Sequence, residues 1–353
     1  MPEGLRNLTY ATVFIVMLGY LLVVGRPIFV PIVIAILLVY VILGVARLFE
    51  RVSVAGWRLP AAARLPVAAV LIVLVVAEVG TLMLGGVGSI AARAPAHQES
   101  FLAALQQGAA ALGIEREPTW SALRADLIGE VDMQRLVRSL ALSATALLGV
   151  QFFVALNVAF MLMERGSFAA KLTKLTDDPR RVARIRAVVA DINARVSRYL
   201  AVKTLINIGL GVLSWAIMAA FGLEFAALWA VVIALFNYVP YVGSFVGVAF
   251  PAVMAVAQFG DVETVLSLIL LLALAQLLVG NVIEPRVMGD ALNLSPWVVL
   301  VSLTVWSSLW GVAGAVVSVP LTAIIVVVLS EFDRTRPIAV LLSRDGDVPR
   351  PPV

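Results

Sequence analysis

Long apolar runs are the feature that most constrains what this chain can fold into. A helix needs about 20 apolar residues to cross the hydrocarbon core of a bilayer. Sixty-two per cent of the residues are apolar and the mean hydropathy is +1.03, so the sequence predicts an all-α integral membrane protein. The runs that reach or approach spanning length cover residues 8–25, 28–46, 65–92, 140–163, 204–222, 225–258, 264–283 and 297–329.

The charged windows between these runs predict the orientation of the chain. Lys and Arg outnumber Asp and Glu in windows 47–64 and 164–203, but not in window 93–138. Cytoplasmic loops carry the excess of Lys and Arg, so we expect the first two windows in the cytoplasm and the third outside. The first apolar run leads directly into a second span, and we interpret it as an uncleaved anchor. The sequence pI near 9.7 then reflects a cytoplasmic membrane face, and we expect no nucleic-acid partner.

Two amphipathic segments lie in these windows. One begins at Phe101 in the outer window. The other begins at Pro179, with Asp177 or Asp178 as the helix cap, and carries an apolar seam that includes Val182, Ile185 and Val189. The polar tail "RDGDVPRPP", residues 344–352, is predicted to be disordered. The predicted parts are N-terminal transmembrane helices (1–92), an extracytoplasmic amphipathic segment (93–139), a transmembrane helix (140–163), a cytoplasmic basic amphipathic helix (164–203), a transmembrane core with broken helices (204–330) and a cytoplasmic tail (331–353).

The stretch "FNYVPYVGSFVG", residues 236–247, interrupts an apolar run with turn-forming residues. A break at membrane depth must be buried in protein or line a wet cavity, because its backbone groups need partners. We predict that it lines a solute path; a Pro-kinked helix with interfacial tyrosines is the alternative. The candidate pathway residues here are Asn237, Tyr238, Pro240, Tyr241 and Gly243.

A second break is predicted in "NVIEPRVMGDALNLSPW", residues 281–297, because Pro285 disfavours helix at the preceding residue. Ionisable groups cluster here, and they form either an internal ion pair of Arg286 with Glu284 or Asp290, or a gate for a solute or coupling ion. The candidate pathway residues here are Asn281, Glu284, Pro285, Arg286, Gly289 and Asp290.

The last apolar run is too long for one crossing. Its 33 residues, 297–329, would span roughly 50 Å as one helix, against a hydrocarbon core of about 30 Å. We predict that the run bends or doubles back at "GVAG", with Gly311, Gly314 and Pro320 as the hinge residues.

Glu78 lies near the middle of the 65–92 run. A carboxyl group near the bilayer centre is costly, so it is either a proton or cation site or a group that hydrogen-bonds a neighbouring helix or borders an aqueous cleft. Both interpretations remain open.

The sequence lacks the residues that metal sites and several kinds of catalysis require. The chain has no Cys, and its one His, His97, lies outside the apolar runs, so we predict no metal site and no Ser-His catalysis. It contains no GxxxxGK[ST] phosphate loop and no pair of intramembrane Asp residues. We therefore expect neither an enzyme nor a cofactor.

Around the two breaks the sequence resembles the autoinducer-2 exporter family, also called PerM-type permeases. The resemblance covers nearly the whole chain and is strongest over residues 197–324. It implies a secondary transporter of roughly eight hydrophobic segments in the bacterial inner membrane, with re-entrant elements, both termini cytoplasmic and a pentameric homo-oligomer. The family motifs fall on Asn237, Pro240, Gly243, Asn281, Glu284, Pro285, Gly289 and Pro320.

We therefore expect a permease that exports a small polar solute, such as the quorum-sensing signal autoinducer-2, by alternating access. Moving a solute against its gradient without ATP needs an ion gradient, so coupling to protons or sodium is expected. Glu284 is the first candidate for the coupling group and Glu78 the second. A monovalent cation/proton antiporter is one alternative. A structural or regulatory membrane protein that recruits partners through helix 179–200 is another.

Overall fold

The computed structural model describes residues 3–51, 59–93, 133–172, 174, 177–288 and 292–348. These residues form helices joined by short turns, with one isolated β-bridge between Leu294 and Ser343. This confirms the all-α prediction. The predicted amphipathic segment after Phe101 and the residues His97, Gly289 and Asp290 lie outside the described residues.

The helices are numbered here in chain order over the described residues. Within those residues, six helical stretches are long and apolar enough to cross a membrane, one of which, Val262–Met288, combines three consecutive elements; two shorter apolar stretches, Thr12–Val24 and Ala226–Phe236, accompany them. The helices are α1 (Glu3–Val24), α2 (Arg26–Arg51), α3 (Ala61–Arg93), α4 (Met133–Leu172), α5 (Pro179–Ala220), α6 (Ala226–Phe236), α7 (Val242–Phe259), α8 (Val262–Leu278), a π-helix (Val279–Ile283), α9 (Glu284–Met288), α10 (Pro296–Ser330) and α11 (Arg336–Leu342).

Helix α5 starts where the sequence predicts. Asp178 accepts a hydrogen bond from the backbone N–H of Arg180 at 2.9 Å, and Pro179 occupies the first helical position, where its missing N–H is not needed. The helix then continues without interruption to Ala220. The predicted boundary between a cytoplasmic helix and a membrane span at 203–204 is therefore not a helix end, because Lys203 and Thr204 both have ordinary helical geometry.

The chain divides into two compact units. Unit 1 comprises residues 1–68, 150–201 and 290–353; unit 2 comprises residues 69–149 and 202–289. Within unit 1, the first half of α5 contacts α2: the Tyr40 hydroxyl donates to Asn193 Oδ1 at 2.6 Å, and the Arg47 guanidinium donates to Ser197. Arg184 contacts Glu331, which follows α10, at 3.4 Å. The end of α10 and the start of α5 thus lie on the same side of unit 1.

Helix α10 is a hairpin. Gly311 has φ 64° and ψ −140°, values outside the helical region. The Trp306 indole N–H donates to Thr322 Oγ1 at 3.2 Å, although 16 residues of straight helix would separate these positions by about 24 Å. The chain doubles back at Gly311, which is one of the two outcomes that the sequence predicted there. Pro320, predicted as part of the hinge, instead lies buried inside the returning arm.

The apex of this hairpin is attached to the end of α1. The Trp310 indole N–H donates to the carbonyl of Leu22 at 3.0 Å. The last four carbonyls of a helix have no partner within the helix, so Trp310 satisfies one of them. The Arg26 guanidinium lies beside Gly311.

The predicted disorder of residues 344–352 is wrong for the part that the structure describes, up to Val348. Asn293 donates its side-chain N–H to the carbonyl of Asp347 at 2.7 Å, and Arg336 donates to the carbonyl of Val348 at 3.0 Å. Val348 is buried against Val326 and Ala339. The polar composition of the tail did not indicate that it is ordered, because the contacts that hold it involve two backbone carbonyls and one valine side chain.

The core of unit 2 is formed by helices α5 to α8. It includes Ile206 and Met218 of α5, Ile233 of α6, Ala255 of α7 and Leu268 of α8. Asp261 caps α8 by accepting hydrogen bonds from the backbone N–H groups of Glu263 and Thr264 at 3.0 and 3.1 Å. Hydrogen bonds from Thr264 are the main cause that lowers the pKa of Asp261 below its ordinary value. This packing fixes the positions of the two predicted breaks.

Candidate functional site

Helix α5 presents a buried stripe of side chains to the interior of unit 2. Its members are spaced at four, three, four and four residues, which places them on one helical face. Three of them are polar: Lys203, Asn207 and Ser214. Leu210 and Met218 complete the stripe, and each of the five residues is at most 5% exposed. A polar group on such a face requires a partner, because an unpaired one at membrane depth costs several kcal/mol.

Lys203 finds that partner in the second break. Its Nζ lies 2.6 Å from Oε1 of Glu284, and the two side chains are 6% and 25% exposed. Lys203 is also the last charged residue of α5. The pair thus stands where the charged half of α5 gives way to its apolar half.

A π-helix brings Glu284 to this position. Residues Val279–Ile283 form five residues of π-helix, and α9 continues to Met288. The sequence predicted that the helix would end before Pro285, and this prediction is wrong. A π-turn shifts the hydrogen-bond register locally, and the chain stays helical through Glu284 despite the missing N–H of the proline.

The first break supplies two further contacts to α5. The hydroxyls of Tyr238 and Thr204 lie 2.7 Å apart, and the Asn237 side-chain N–H donates to Asn207 Oδ1 at 2.8 Å. Helix α6 ends at Phe236 and α7 begins at Val242, so the predicted break is confirmed. Three polar contacts therefore tie one turn of α5 to both breaks.

Close backbone packing holds the first break together. A Cβ on Gly243 would collide with the carbonyl oxygen of Phe236 and would lie 2.6 Å from the Asn237 Cα. Only glycine permits the start of α7 to pass this close to the end of α6. The position of the Asn237 side chain therefore depends on Gly243.

Gly243→Ala is expected to lower the free energy of unfolding by about 1–3 kcal/mol, because overpacking forces the two backbones apart. Thermal unfolding of the purified variant in detergent measures the effect. Gly209→Ala is the matched control: a Cβ at this helical position in α5 meets nothing within 4 Å, so its stability should stay the same or rise. Equal melting temperatures for the two variants would contradict the role assigned to Gly243.

The structure brings together four of the predicted pathway residues: Asn237, Tyr238 and Glu284 contact α5, and Gly243 supports Asn237. Pro240 is half-buried in the break. Glu284 pairs with Lys203, and not with Arg286 as one interpretation of the sequence had it. The remaining described candidates have exposed side chains outside these three contacts; they are Tyr241, Asn281, Pro285 and Arg286.

Glu78 lies on an exposed face of α3 in unit 2. Its backbone carbonyl accepts a hydrogen bond from the Thr81 hydroxyl at 2.9 Å. Among the described residues its carboxylate has no hydrogen-bond or ion-pair partner. Its role in ion coupling remains a prediction.

Sequence reasoning missed the α5 residues of this site, namely Lys203, Thr204 and Asn207. Lys203 was counted with the basic residues of a cytoplasmic window, where it supports the orientation of the chain. The available signal was the helical spacing of Lys203, Asn207 and Ser214 through an otherwise apolar stretch. Their partners lie 81 and 30 residues away along the chain for Lys203 and Asn207, which no local pattern reveals.

The described residues of the site contain no cluster of metal-ligating side chains. Within the described ranges, no group of three or more His, Cys, Asp or Glu side chains is placed to hold a metal ion. What the arrangement offers instead is one ion pair, a hydroxyl pair and an amide pair inside an apolar helix bundle.

Comparison with known proteins identifies the family of this chain. Residues 12–334 match the AI-2E family transporter profile. The chain belongs to the AI-2E transporter family. It is therefore a multi-pass membrane protein of a transporter family, as the resemblance at the two breaks had indicated.

Curated relatives match about half of this AI-2E family member. The AI-2 transport protein TqsA of Escherichia coli K12 is 37% identical over 192 residues, which cover 54% of this chain and 55% of TqsA. The putative transport protein YhhT of the same strain is 33% identical over 202 residues, 56% of each chain. The putative permease PerM is 26% identical over 176 residues, 50% of this chain and 49% of PerM. The matched part thus spans about half the length of each of these relatives.

Proposed function

We propose that this protein is a secondary permease of the bacterial inner membrane that exports a small polar solute through unit 2. The N-terminus would face the cytoplasm, following the distribution of Lys and Arg, and the C-terminus would face it by the family resemblance. The pathway would run along the polar stripe of α5, between the break that separates α6 from α7 and the π-helical segment that precedes Glu284. Discontinuous helices with polar groups at their breaks are how many secondary transporters bind their solutes.

The Lys203–Glu284 pair is the observation that carries this proposal. A buried ion pair adds little stability compared with apolar packing of the same volume, so its presence in a membrane bundle points to a function. The pair joins α5 to the segment that follows the π-helix, and π-segments are frequent at functional sites. Separating the two residues would open the charged end of the polar stripe.

Coupling to an ion follows from the chemistry of the pair. A proton or a sodium ion on Glu284 would remove its attraction for Lys203 and allow α9 to move away from α5. Loss of that ion on the other side would restore the pair. A ligand shifts a conformational equilibrium only by its differential affinity for the two states, and the intact and broken ion pair supply that difference.

The first solute to test is autoinducer-2, because the relative TqsA is named an AI-2 transport protein. The partner-recruiting alternative has less support: Asn193 and Ser197, on the proposed recruiting helix, contact α2 of the same chain. A pentameric homo-oligomer remains a prediction of the family resemblance, and native mass spectrometry measures it.

Transport by purified protein in proteoliposomes tests the proposal. We expect labelled autoinducer-2 to cross the membrane faster than in protein-free vesicles, and an imposed proton or sodium gradient to accelerate it. Glu164→Gln is a suitable control for Glu284→Gln in this assay, because Glu164 lies in an exposed ion pair of α4 with Lys171. Cation-driven proton movement without any organic solute would instead support the cation/proton antiporter.

A further inference from the structure

Unit 2 contains buried hydrogen-bond donors that lack acceptors among the described residues. They are the Nδ2 of Asn207, the Oγ of Ser214, the Nε1 of Trp229 and the Nε2 of Gln276. The Asn207, Ser214 and Gln276 residues are 2%, 1% and 6% exposed. Folded proteins pair nearly all such groups, because each unpaired buried one is costly. The concentration of unpaired donors in one bundle therefore needs an explanation.

The contacts of α5 with α6 fix the height of these donors. Asn207 bonds Asn237 at the end of α6, while a Cβ on Gly211 would lie 3.1 Å from Ala234 Cβ and 3.3 Å from the carbonyl oxygen of Ala230. Increasing residue numbers in α5 thus meet decreasing numbers in α6, and the two helices are antiparallel. Ser214, seven residues beyond Asn207, lies on the same face about 10 Å further along.

Gln276 lies between these two heights. Its side-chain amide occupies the space over Gly247 that a Cβ would fill, and the same Cβ position is 3.5 Å from Ile233 Cγ1. Ile233 is one helical turn from Asn237. The donors of Asn207, Gln276 and Ser214 therefore lie at successive levels along α5, beginning one turn from the Lys203–Glu284 pair.

We propose that Asn207, Gln276 and Ser214 form the solute-binding site of unit 2, and that the site takes an uncharged solute through its hydroxyl, ether or carbonyl oxygens. This inference rests on the proposed permease function and specifies its site. The side-chain groups without partners at Asn207 and Gln276 are amide N–H donors, which bind oxygen acceptors and do not ligate a cation. The Asn207 oxygen is already used by Asn237.

Cysteine labelling tests the site without knowledge of the solute. The chain contains no Cys, so single substitutions can be made directly in the full-length protein. We expect Ser214→Cys, which preserves side-chain size, to react with the neutral reagent 2-hydroxyethyl methanethiosulfonate at least about tenfold faster than Val212→Cys, because alternating access opens a solute site to water. A thiol on the apolar outer face of α5 stays protonated and unreactive. Val212 is 59% exposed on the apolar surface of α5. Equal, slow labelling of the two would overturn the proposal.

A transport measurement supplies the second test. Asn207→Asp keeps the oxygen that accepts from Asn237 and replaces the unpaired N–H donor by an acceptor; Gln276→Glu makes the same change. Each is expected to raise the KM for autoinducer-2 about tenfold or more, because the new carboxylate oxygen would face the solute oxygen and neither of these two acceptors could donate a hydrogen bond. Gln276→Met, similar in length, should also raise the KM for autoinducer-2. If Gln276 served only to pack the bundle, its substitution would instead reduce the yield of folded protein.

The two proposals fail separately. If the wild-type protein moves autoinducer-2 and both acidic variants keep the wild-type KM, the site is wrong and the permease function stands. If the wild-type protein moves no solute but Ser214→Cys is labelled rapidly, the polar site stands and the permease proposal for autoinducer-2 fails.

Discussion

Glu284→Gln is expected to abolish ion-driven solute flux and to lower the free energy of unfolding by about 3–5 kcal/mol, because it leaves the buried Lys203 ammonium without its counter-charge. The Lys203 side chain is only 6% exposed and lies 2.6 Å from Glu284. Flux in proteoliposomes and thermal unfolding in detergent measure the two effects. Both effects arise from the same contact, so they should appear together.

Exchanging Lys203 and Glu284 tests whether the ion pair itself, and not the shape of the two side chains, accounts for the stability. Lys203→Glu combined with Glu284→Lys restores an ion pair, and it should recover a large part of the stability that either single change loses. Lys171→Met provides the matched control, because the exposed Lys171–Glu164 pair has both side chains 63% accessible and such pairs contribute about 0–1 kcal/mol. Equal losses from Glu284→Gln and Lys171→Met would show that the buried pair has no special role.

Gly314→Ala is expected to prevent the α10 hairpin from closing, with a loss of most of the correctly folded protein. A Cβ at this position would overlap the carbonyl oxygen of Trp306, a backbone atom that has little room to shift, and would lie 3.0 Å from the Trp310 Cβ. The Trp306–Thr322 hydrogen bond and the contact of Trp310 with α1 both depend on that closure. Yield of monodisperse protein by size-exclusion chromatography measures the effect.

Gly311→Ala should have a smaller effect of the same sign, about 1–3 kcal/mol, because φ 64° is strained for any residue with a Cβ. Gly19→Ala, in α1 of the same unit, is the control, since a Cβ there meets nothing within 4 Å. Normal yield of Gly314→Ala would mean that the hairpin is not required for folding.

Features with a local cause could be predicted from the sequence. An interruption near Gly311, either a bend or a reversal, follows from a run too long for one crossing with glycines near its middle. The break between Phe236 and Val242 follows from Pro240 and its neighbours, and the start of α5 follows from Asp178 and Pro179. In each case the responsible residues are adjacent in the chain, so the pattern itself contains the information.

Features that depend on distant partners could not be predicted in this way. Pro285 suggested a helix end, yet the π-helix absorbed it, because the register shift is favourable only within the packed bundle. The tail up to Val348 suggested disorder, yet it is bound by Asn293 and Arg336. Local composition indicates that helix at Pro285 or order in a polar tail is unfavourable, but it does not reveal the tertiary contacts that make these conformations favourable.

The sequence by itself therefore determined that this is an all-α membrane protein, that a helix breaks between Phe236 and Val242, and that Glu284 is one of the charged candidates in the segment 281–297. Only the tertiary structure decided that Lys203 is the partner of Glu284 and that Asn207 is the partner of Asn237. The physical reason is that hydrophobic spans and turns are set by solvent transfer and backbone sterics over a few residues. The pairing of buried polar groups is instead set by which faces of α5 to α9 meet when the bundle packs.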